Sequence, residues 1–236
     1  MTIKVGRSDR VFVLTGAGIS AESGIPTFRG QDGLWEGHRI EDVATPQAFA
    51  RNPELVWRFY SMRRSAAAVC KPNPGHIALA RLEQKLGKRM FVCTQNVDGL
   101  HEAAGSIRVF HMHGQLFQSR CSNRACPSKP FEDTRTYQQR SEIPSCDCGA
   151  LIRPHICWFN ERPFHMREVI PAIEQCSIFL TVGSSGLVQP AASFPLIAMQ
   201  NGAKTFYVGL ESPSNRLAFD EITLGPAGEI LPNLFE

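Results

Sequence analysis

Short apolar runs alternate with stretches of helical periodicity along this chain. Val11-Phe12-Val13-Leu14-Thr15, Met90-Phe91-Val92-Cys93-Thr94, Ser177-Ile178-Phe179-Leu180-Thr181-Val182 and Thr205-Phe206-Tyr207-Val208 are compact and rich in β-branched or aromatic residues. That is the character of strands buried on both faces of a parallel sheet. Arg108-Val109-Phe110 predicts a further strand. Helical signals lie between the strands. Asn52-Pro53-Glu54 combines a cap, a proline at the first position and an acidic first turn, and Leu55, Phe59, Met62 and Ala66 continue at helical spacing. Asn73-Pro74 opens a second helix through Ile77, Leu79, Leu82 and Leu86, with Gly87 as its stop. Two more are predicted over 166–175 and 190–201, the latter closed by Gly202. Strands alternating with helices predict an α/β fold with a parallel sheet wound on both faces.

Residues 119–150 break the pattern. They are rich in Cys, Ser, Pro and charge and cannot build a core from apolar periodicity. The chain of 236 residues is long enough for one domain with an insertion. Residues 36–88 read as a helical module set between the first two strands.

Composition narrows the classes. Hydrophobic residues at 43% and charged residues at 20% are ordinary for a globular protein. A net charge of +3 without a basic run gives no support to direct nucleic-acid binding. No apolar run reaches membrane length and no signal peptide is expected, so a cytoplasmic setting is predicted. There the eight cysteines read as thiols or metal ligands, not disulfides.

Cys121, Cys126, Cys146 and Cys148 form two close pairs nineteen residues apart. This C-x4-C and C-x-C spacing lies within what a tetrahedral thiolate site accepts, and a metal would supply the folding energy this segment lacks. Four thiolates leave no open position, so the expected zinc is structural. Cys70, Cys93, Cys157 and Cys176 sit in apolar contexts and read as core fillers.

The first strand runs directly into Gly16-Ala17-Gly18-Ile19-Ser20. A strand, then glycines, then a helix start can aim free backbone N–H groups at a phosphate, although tight glycine turns also serve packing. A redox dinucleotide fold would continue to a second strand ending in an acidic residue about 20 positions on. Here Ile25-Pro26-Thr27-Phe28-Arg29-Gly30 reads as a long loop, and no strand precedes Glu36, so hydride transfer loses ground.

Three other strand ends carry polar residues: Thr94-Gln95-Asn96-Val97-Asp98-Gly99-Leu100-His101, His111-Met112-His113-Gly114 and Thr181-Val182-Gly183-Ser184-Ser185. The first reads equally as a turn or a site. His111 and His113 share a side by strand alternation and are not separated by it. A general base at this edge is the reading favoured for the pair. Ligands of doubly wound sheets bind at this edge.

Taken together, these motifs resemble the sirtuins, the NAD-dependent protein lysine deacylases. The matching residues also include Pro26-Thr27-Phe28-Arg29, the four cysteines, Arg153-Pro154 and Trp158-Phe159, and they run through almost the whole chain in the family's order. The resemblance implies a Rossmann-like domain over 1–35, 89–118 and 151–236. A smaller domain would comprise the helical module 36–88 and the zinc-binding module 119–150. It implies NAD and one structural zinc as cofactors and acylated proteins or peptides as partners. It assigns His113 as base, with Asn96, Asp98 and Arg29 also catalytic. Cofactor contacts fall on Gly16, Ala17, Gly18, Ser20, Ala21, Glu22, Pro26, Thr27, Phe28, Arg29 and Trp35. They continue at Gln95, Asn96, Val97, Asp98, Gly183, Ser184, Ser185, Gly209, Leu210, Glu211 and Ala227. Substrate contacts fall on Ala44, Tyr60, Arg63, Cys157, Trp158 and Phe159. The products implied are nicotinamide, free lysine and O-acyl-ADP-ribose.

Tyr60 and Arg63 share a helix face, and a phenol beside a guanidinium makes a fork for a carboxylate. With Ala44 they resemble the subclass acting on succinyl- and malonyl-lysine. Two departures stand out: Asn160 replaces the usual glycine after Trp158-Phe159, and Gly209 replaces a frequent asparagine. Competing readings are a zinc-bearing module that binds NAD or ADP-ribose without turnover, and an ADP-ribosyltransferase.

Overall fold

The computed structural model describes residues 2–26 and 37–235. Strand β1 (Val11–Thr15) is followed by a 3-10 turn at Ala17–Ser23, then helices α1 (Ile40–Val43), α2 (Pro46–Arg51), α3 (Pro53–Ala68) and α4 (Pro74–Leu86). Next come β2 (Met90–Thr94), α5 (Leu100–Ala103), β3 (Val109–His111), β4 (Gly114–Cys121), β5 (Phe131–Glu132) and β6 (Ile152–Ile156). The chain ends through α6 (Met166–Glu174), β7 (Ile178–Val182), α7 (Phe194–Gln200), β8 (Lys204–Gly209), β9 (Glu221–Leu224) and α8 (Ala227–Ile230).

Six strands form one parallel sheet in the order β3-β2-β1-β7-β8-β9. Because successive residues of a strand point to opposite faces, β1 feeds two cores. Val11 and Val13 pack with Leu79 and Leu82 of α4. Phe12 and Leu14 pack with Val169 and Ile173 of α6 and Phe194 of α7. On this second face Phe12 stacks on Phe91 at 5.2 Å and on Phe179 at 5.1 Å, and Phe91 stacks on Phe110 at 4.1 Å. The ladder of rings fixes four neighbouring strands side by side.

A second sheet, ordered β5-β4-β6, is antiparallel. Its apolar face shares a core with α1–α3: Trp57, Phe59 and Tyr60 meet Leu116, Tyr137, Ile152, Ile156 and Trp158. The helical stretch 36–88 therefore serves two cores, α1–α3 here and α4 on the large sheet. Likewise β4 and β6 carry the small sheet from Gly114 to Ile156, beyond the expected 119–150 on both sides. Arg64 links helix to sheet, donating to the carbonyls of Leu116 (2.8 Å), Arg135 (2.6 Å) and Gln118 (3.1 Å).

The caps behave as the sequence implies. Asn52 Oδ1 accepts from Leu55 N–H (3.0 Å) and Asn73 Oδ1 from Gly75 N–H (2.9 Å). The buried stripe of α3 differs from the expectation, however. Val56, Trp57, Phe59, Tyr60 and Arg64 are inside, while Met62 and Ala66 are exposed. The helix packs on two sides, so its buried face includes a charged residue and is wider than the stripe of leucine-type residues. Strand β9 was not expected, because Glu221-Ile222-Thr223-Leu224 is a half-buried edge without an apolar run. No described helix is long and apolar enough to cross a membrane.

Candidate active site

After β1 the chain crosses to β2 on one side, and later returns as β7 on the other. The carboxyl ends of β1 and β7 thus form the switch point where an open α/β sheet leaves a crevice. The glycines show how the two loops meet there. A Cβ on Gly16 would lie 2.8 Å from Gly183 O, and one on Gly18 would lie 2.7 Å from Gly183 Cα. The N–H groups of Gly16 and Gly18 donate to Val182 O and Gly183 O, both at 2.9 Å. These two N–H groups are therefore spent on joining the loops. That corrects the expectation that they would be free for an anion: here the glycines permit close backbone approach.

The crevice opens into a cavity of about 1270 Å³. It is lined from the large sheet by Gly16, Gly18, Ser20, Gln95, Asn96, Asp98, His113, Gly183 and Ser184, and from the small layer by Ala44, Tyr60, Arg63, Cys157, Trp158 and Phe159. Every described residue expected to contact cofactor or substrate borders this one cavity, including Ala17, Ala21, Glu22, Pro26, Val97, Ser185, Gly209, Leu210, Glu211 and Ala227. Thr27, Phe28, Arg29 and Trp35 lie outside the described residues.

The polar floor is a connected network. Ser20 Oγ donates to Asp98 Oδ2 (3.1 Å) and accepts from Asn96 Nδ2 (3.0 Å), which also reaches Gly16 O (3.1 Å). Asn96 is held from behind by its own N–H on Thr94 Oγ1 (3.0 Å). Two histidines support this floor: His101, which closes the stretch read equally as a turn or a site, and His76, which sequence reasoning missed. His76 faces Ser20 Oγ at 3.5 Å, and His101 Nε2 donates to Thr15 Oγ1 (2.9 Å). Burial lowers the pKa of His76 to about 4 and drives that of His101 well below its usual value. Both are neutral hydrogen-bonding struts. The only signal for His76 was its position in the capping box of α4.

The structure separates the two histidines that alternation could not. His111 ends β3 and is buried, with Nδ1 on Asn96 O (3.1 Å) and Nε2 on Glu102 (2.7 Å). Burial opposes charge on it, but the Glu102 hydrogen bond and carboxylate outweigh burial and raise its pKa. His113 lies past the strand and borders the cavity. Its Nδ1 donates to Gln95 O at 3.0 Å, which leaves Nε2 with the lone pair in the neutral ring. Burial lowers its pKa, against the opposing effect of the Gln95 carbonyl. A neutral imidazole poised to take a proton is the result. Gln95 reaches the far loop too, donating from Nε2 to Ser184 Oγ (2.8 Å).

The aromatic wall of the cavity hangs on backbone. Cys157 N–H donates to His113 O (2.8 Å) and Phe159 N–H to Ala44 O (3.0 Å), so the strip 157–159 ties His113 to the helical module. Trp158 Nε1 donates to Tyr60 Oη (2.9 Å), and the Arg63 guanidinium carbon sits 5.8 Å from the Tyr60 ring centroid. Asn160 adopts φ 68°. That left-handed conformation explains why the position suits glycine and why asparagine can replace it. Gly209 is explained by Tyr207, two residues before it on the same strand face: a Cβ at 209 would overlap the Tyr207 hydroxyl, which donates to Glu211 O (3.0 Å). Tyr207, Met62 and Ala67 also line the cavity and were missed. The first follows from alternation with Gly209, the others from helical neighbourhood to Arg63.

In the small layer the Sγ atoms of Cys121, Cys126, Cys146 and Cys148 all lie within 4.8 Å of one another. Cys121–Cys148 is 3.5 Å and Cys126–Cys146 is 3.7 Å. A tetrahedron of Zn–S bonds of about 2.3 Å puts sulfurs roughly 3.8 Å apart. The four thiols fit zinc, with no position left for a substrate.

Comparison with known proteins agrees with this geometry. The sequence model of the Sir2 family matches residues 16–190. An NAD-dependent protein deacylase of Pasteurella multocida is 46% identical over 226 residues, covering 95% of each chain. A serine-to-alanine mutant of a Sir2 homologue in complex with ADP-ribose superposes with a TM-score of 0.86 at 39% identity, over 96% of this chain and 90% of its own. A Sir2 homologue in complex with NAD gives 0.85 at 40%, covering 96% and 88%.

Proposed function

The chain belongs to the Sir2 family, and from that premise we propose that it is an NAD-dependent protein deacylase. It removes acetyl and also succinyl or malonyl groups from lysine side chains of proteins or peptides. The products are nicotinamide, O-acyl-ADP-ribose and free lysine. One observation carries the reading. His113, a neutral base, stands where a glycine-rich sheet edge and an aromatic wall enclose the same cavity.

NAD, when bound, supplies a sugar carbon that becomes electrophilic as nicotinamide departs. The chain's own residues do the rest. Asn96 and Asp98, fixed by Ser20, hold the nicotinamide-ribose end, and Gly183, Ser184 and Ser185 meet the adenosine side. His113 takes a hydroxyl proton at Nε2, the nitrogen its Gln95 contact leaves unprotonated. Trp158 and Phe159 flank the acylated lysine and keep water off the reacting carbon. We place the reaction in the cytoplasm, in keeping with eight free cysteines.

Tyr60 and Arg63 extend the acyl end of the cavity. Burial pushes the Tyr60 pKa up to about 12, so its hydroxyl remains a donor at neutral pH while it accepts from Trp158. A donor beside a guanidinium suits a terminal carboxylate, and the small Ala44 leaves room for the longer chain. Arg63→Met should cost succinyl-peptide kcat/KM at least tenfold more than acetyl-peptide kcat/KM; equal losses would remove the acidic-acyl assignment.

Mass spectrometry of acetyl-, succinyl- and malonyl-lysine peptides, with and without NAD, tests the whole reading. His113→Ala should slow deacylation about 10²- to 10⁴-fold. An undiminished rate in that variant, or ADP-ribose found on a protein acceptor instead, would overturn it.

A further inference from the structure

Trp158 borders a second cavity, of about 300 Å³, outside the site described above. Arg124, Arg140 and Arg153 line it from three separate segments, and Ser122 and Phe49 line it as well. Arg153 is only 4% exposed, and its Nε has no hydrogen-bond partner. The carboxylates nearby are already engaged. Glu161 takes both Nη atoms of Arg153 (2.8 Å each), Arg124 (3.2 Å) and Arg120 (3.4 Å). Glu54 takes Arg58 and the backbone N–H of Arg140 (3.1 Å). The three guanidiniums that line the cavity, Arg124, Arg140 and Arg153, stand against the single Glu161 carboxylate and leave a surplus of two positive charges.

We propose that this cavity is a binding site for a phosphomonoester dianion. Guanidinium forks match phosphate oxygens in geometry and charge, and Phe49 and Trp158 offer an apolar wall to the ester's carbon group. Free phosphate shares the headgroup chemistry and lacks the apolar part. Occupancy would be felt in the larger cavity. The Arg153 guanidinium carbon sits 3.4 Å from the Trp158 ring centroid, and the same indole donates to Tyr60. Only this last consequence rests on the proposed deacylase reading.

Isothermal titration of the full chain with phenyl phosphate and with inorganic phosphate, at constant ionic strength and without NAD, tests the site. The control is Arg124→Gln combined with Arg140→Gln, both solvent-exposed positions. Saturable binding should weaken at least tenfold in the double variant. Tighter binding of phenyl phosphate identifies the ester as ligand, and equal binding identifies free phosphate. Unchanged affinity in the variant would place the anion in the larger cavity and overturn the proposal, as would no saturable binding. In a kinetic arm, saturating phenyl phosphate should shift the KM for acylated peptide at least threefold in the parent and not in the variant. An unmoved KM in the parent overturns the coupling. Inactivity of the parent with binding intact counts against the deacylase reading and leaves the site standing.

Discussion

The six-stranded and three-stranded sheets reach order by opposite means. The large sheet buries continuous apolar strands between two helical layers and is fixed by a ladder of phenylalanines. The small one rests on a single apolar face, a buried arginine spanning three carbonyls, and a thiolate cluster. The cavity needs both. One supplies the glycine edge and His113, the other Tyr60, Arg63 and Trp158. Stability and chemistry are therefore drawn from different sources: the layer with continuous apolar strands carries His113 and the glycine edge, and the layer with the four-cysteine cluster carries the aromatic wall.

The sharpest way to break that comparison is to remove the metal. Structural zinc contributes on the order of 10–16 kcal/mol of apparent binding free energy in small domains. Cys126→Ser or strong chelation should therefore unfold the small sheet. Deacylation should fall to background while the protected amides of β1, β2 and β7 still exchange slowly. Loss of protection in both sheets together, by hydrogen exchange, would mean that the large layer is not independent.

Acid should strain both layers at once. Burial holds His76 in the large layer and His155 in the small one at about 4, whereas an unfolded histidine takes its proton near 6.5. Since the unfolded state binds protons first, stability is full above about 6.5 and declines as pH falls towards about 4. His76 alone accounts for roughly 3 kcal/mol of that decline. His111 has the opposite sign: its raised pKa contributes stability below the unfolded value that is lost as pH rises through the folded one. A Tm that stays level between pH 7 and pH 4.5 would contradict this balance.

The same contrast explains what could be read in advance. Strands β1, β2, β7 and β8 are legible because burial on both faces writes an uninterrupted apolar run, and the helix caps because Asn-Pro leaves few alternatives. The small sheet was less legible. Residues of β4 alternate between its two sides, and Arg64 and Asp133 replace apolar contacts with a buried ion pair that has no periodicity. At the site, the described motif residues border one cavity. The reason for the glycines did not follow from sequence, because close approach of Gly18 to Gly183 joins positions far apart in the chain. Nor did the division of labour between His111 and His113, which depends on the chain leaving β3 after residue 111.

The smallest expected effect falls where the two layers are joined. Asn160 follows the strip that ties His113 to Ala44, and its φ of 68° is a left-handed conformation. A β-branched side chain in that conformation costs about 1–2 kcal/mol, so Asn160→Val should lower stability by that amount and raise the KM for peptide through a displaced Trp158-Phe159. Asn160→Gly relieves the strain but adds freedom to the unfolded chain, and these opposing terms leave a net change within about 1 kcal/mol. Denaturant titration of the pair separates two accounts. If Gly and Val are equally destabilising, the asparagine is kept for a side-chain contact; if Gly is near neutral, the backbone conformation alone selects it.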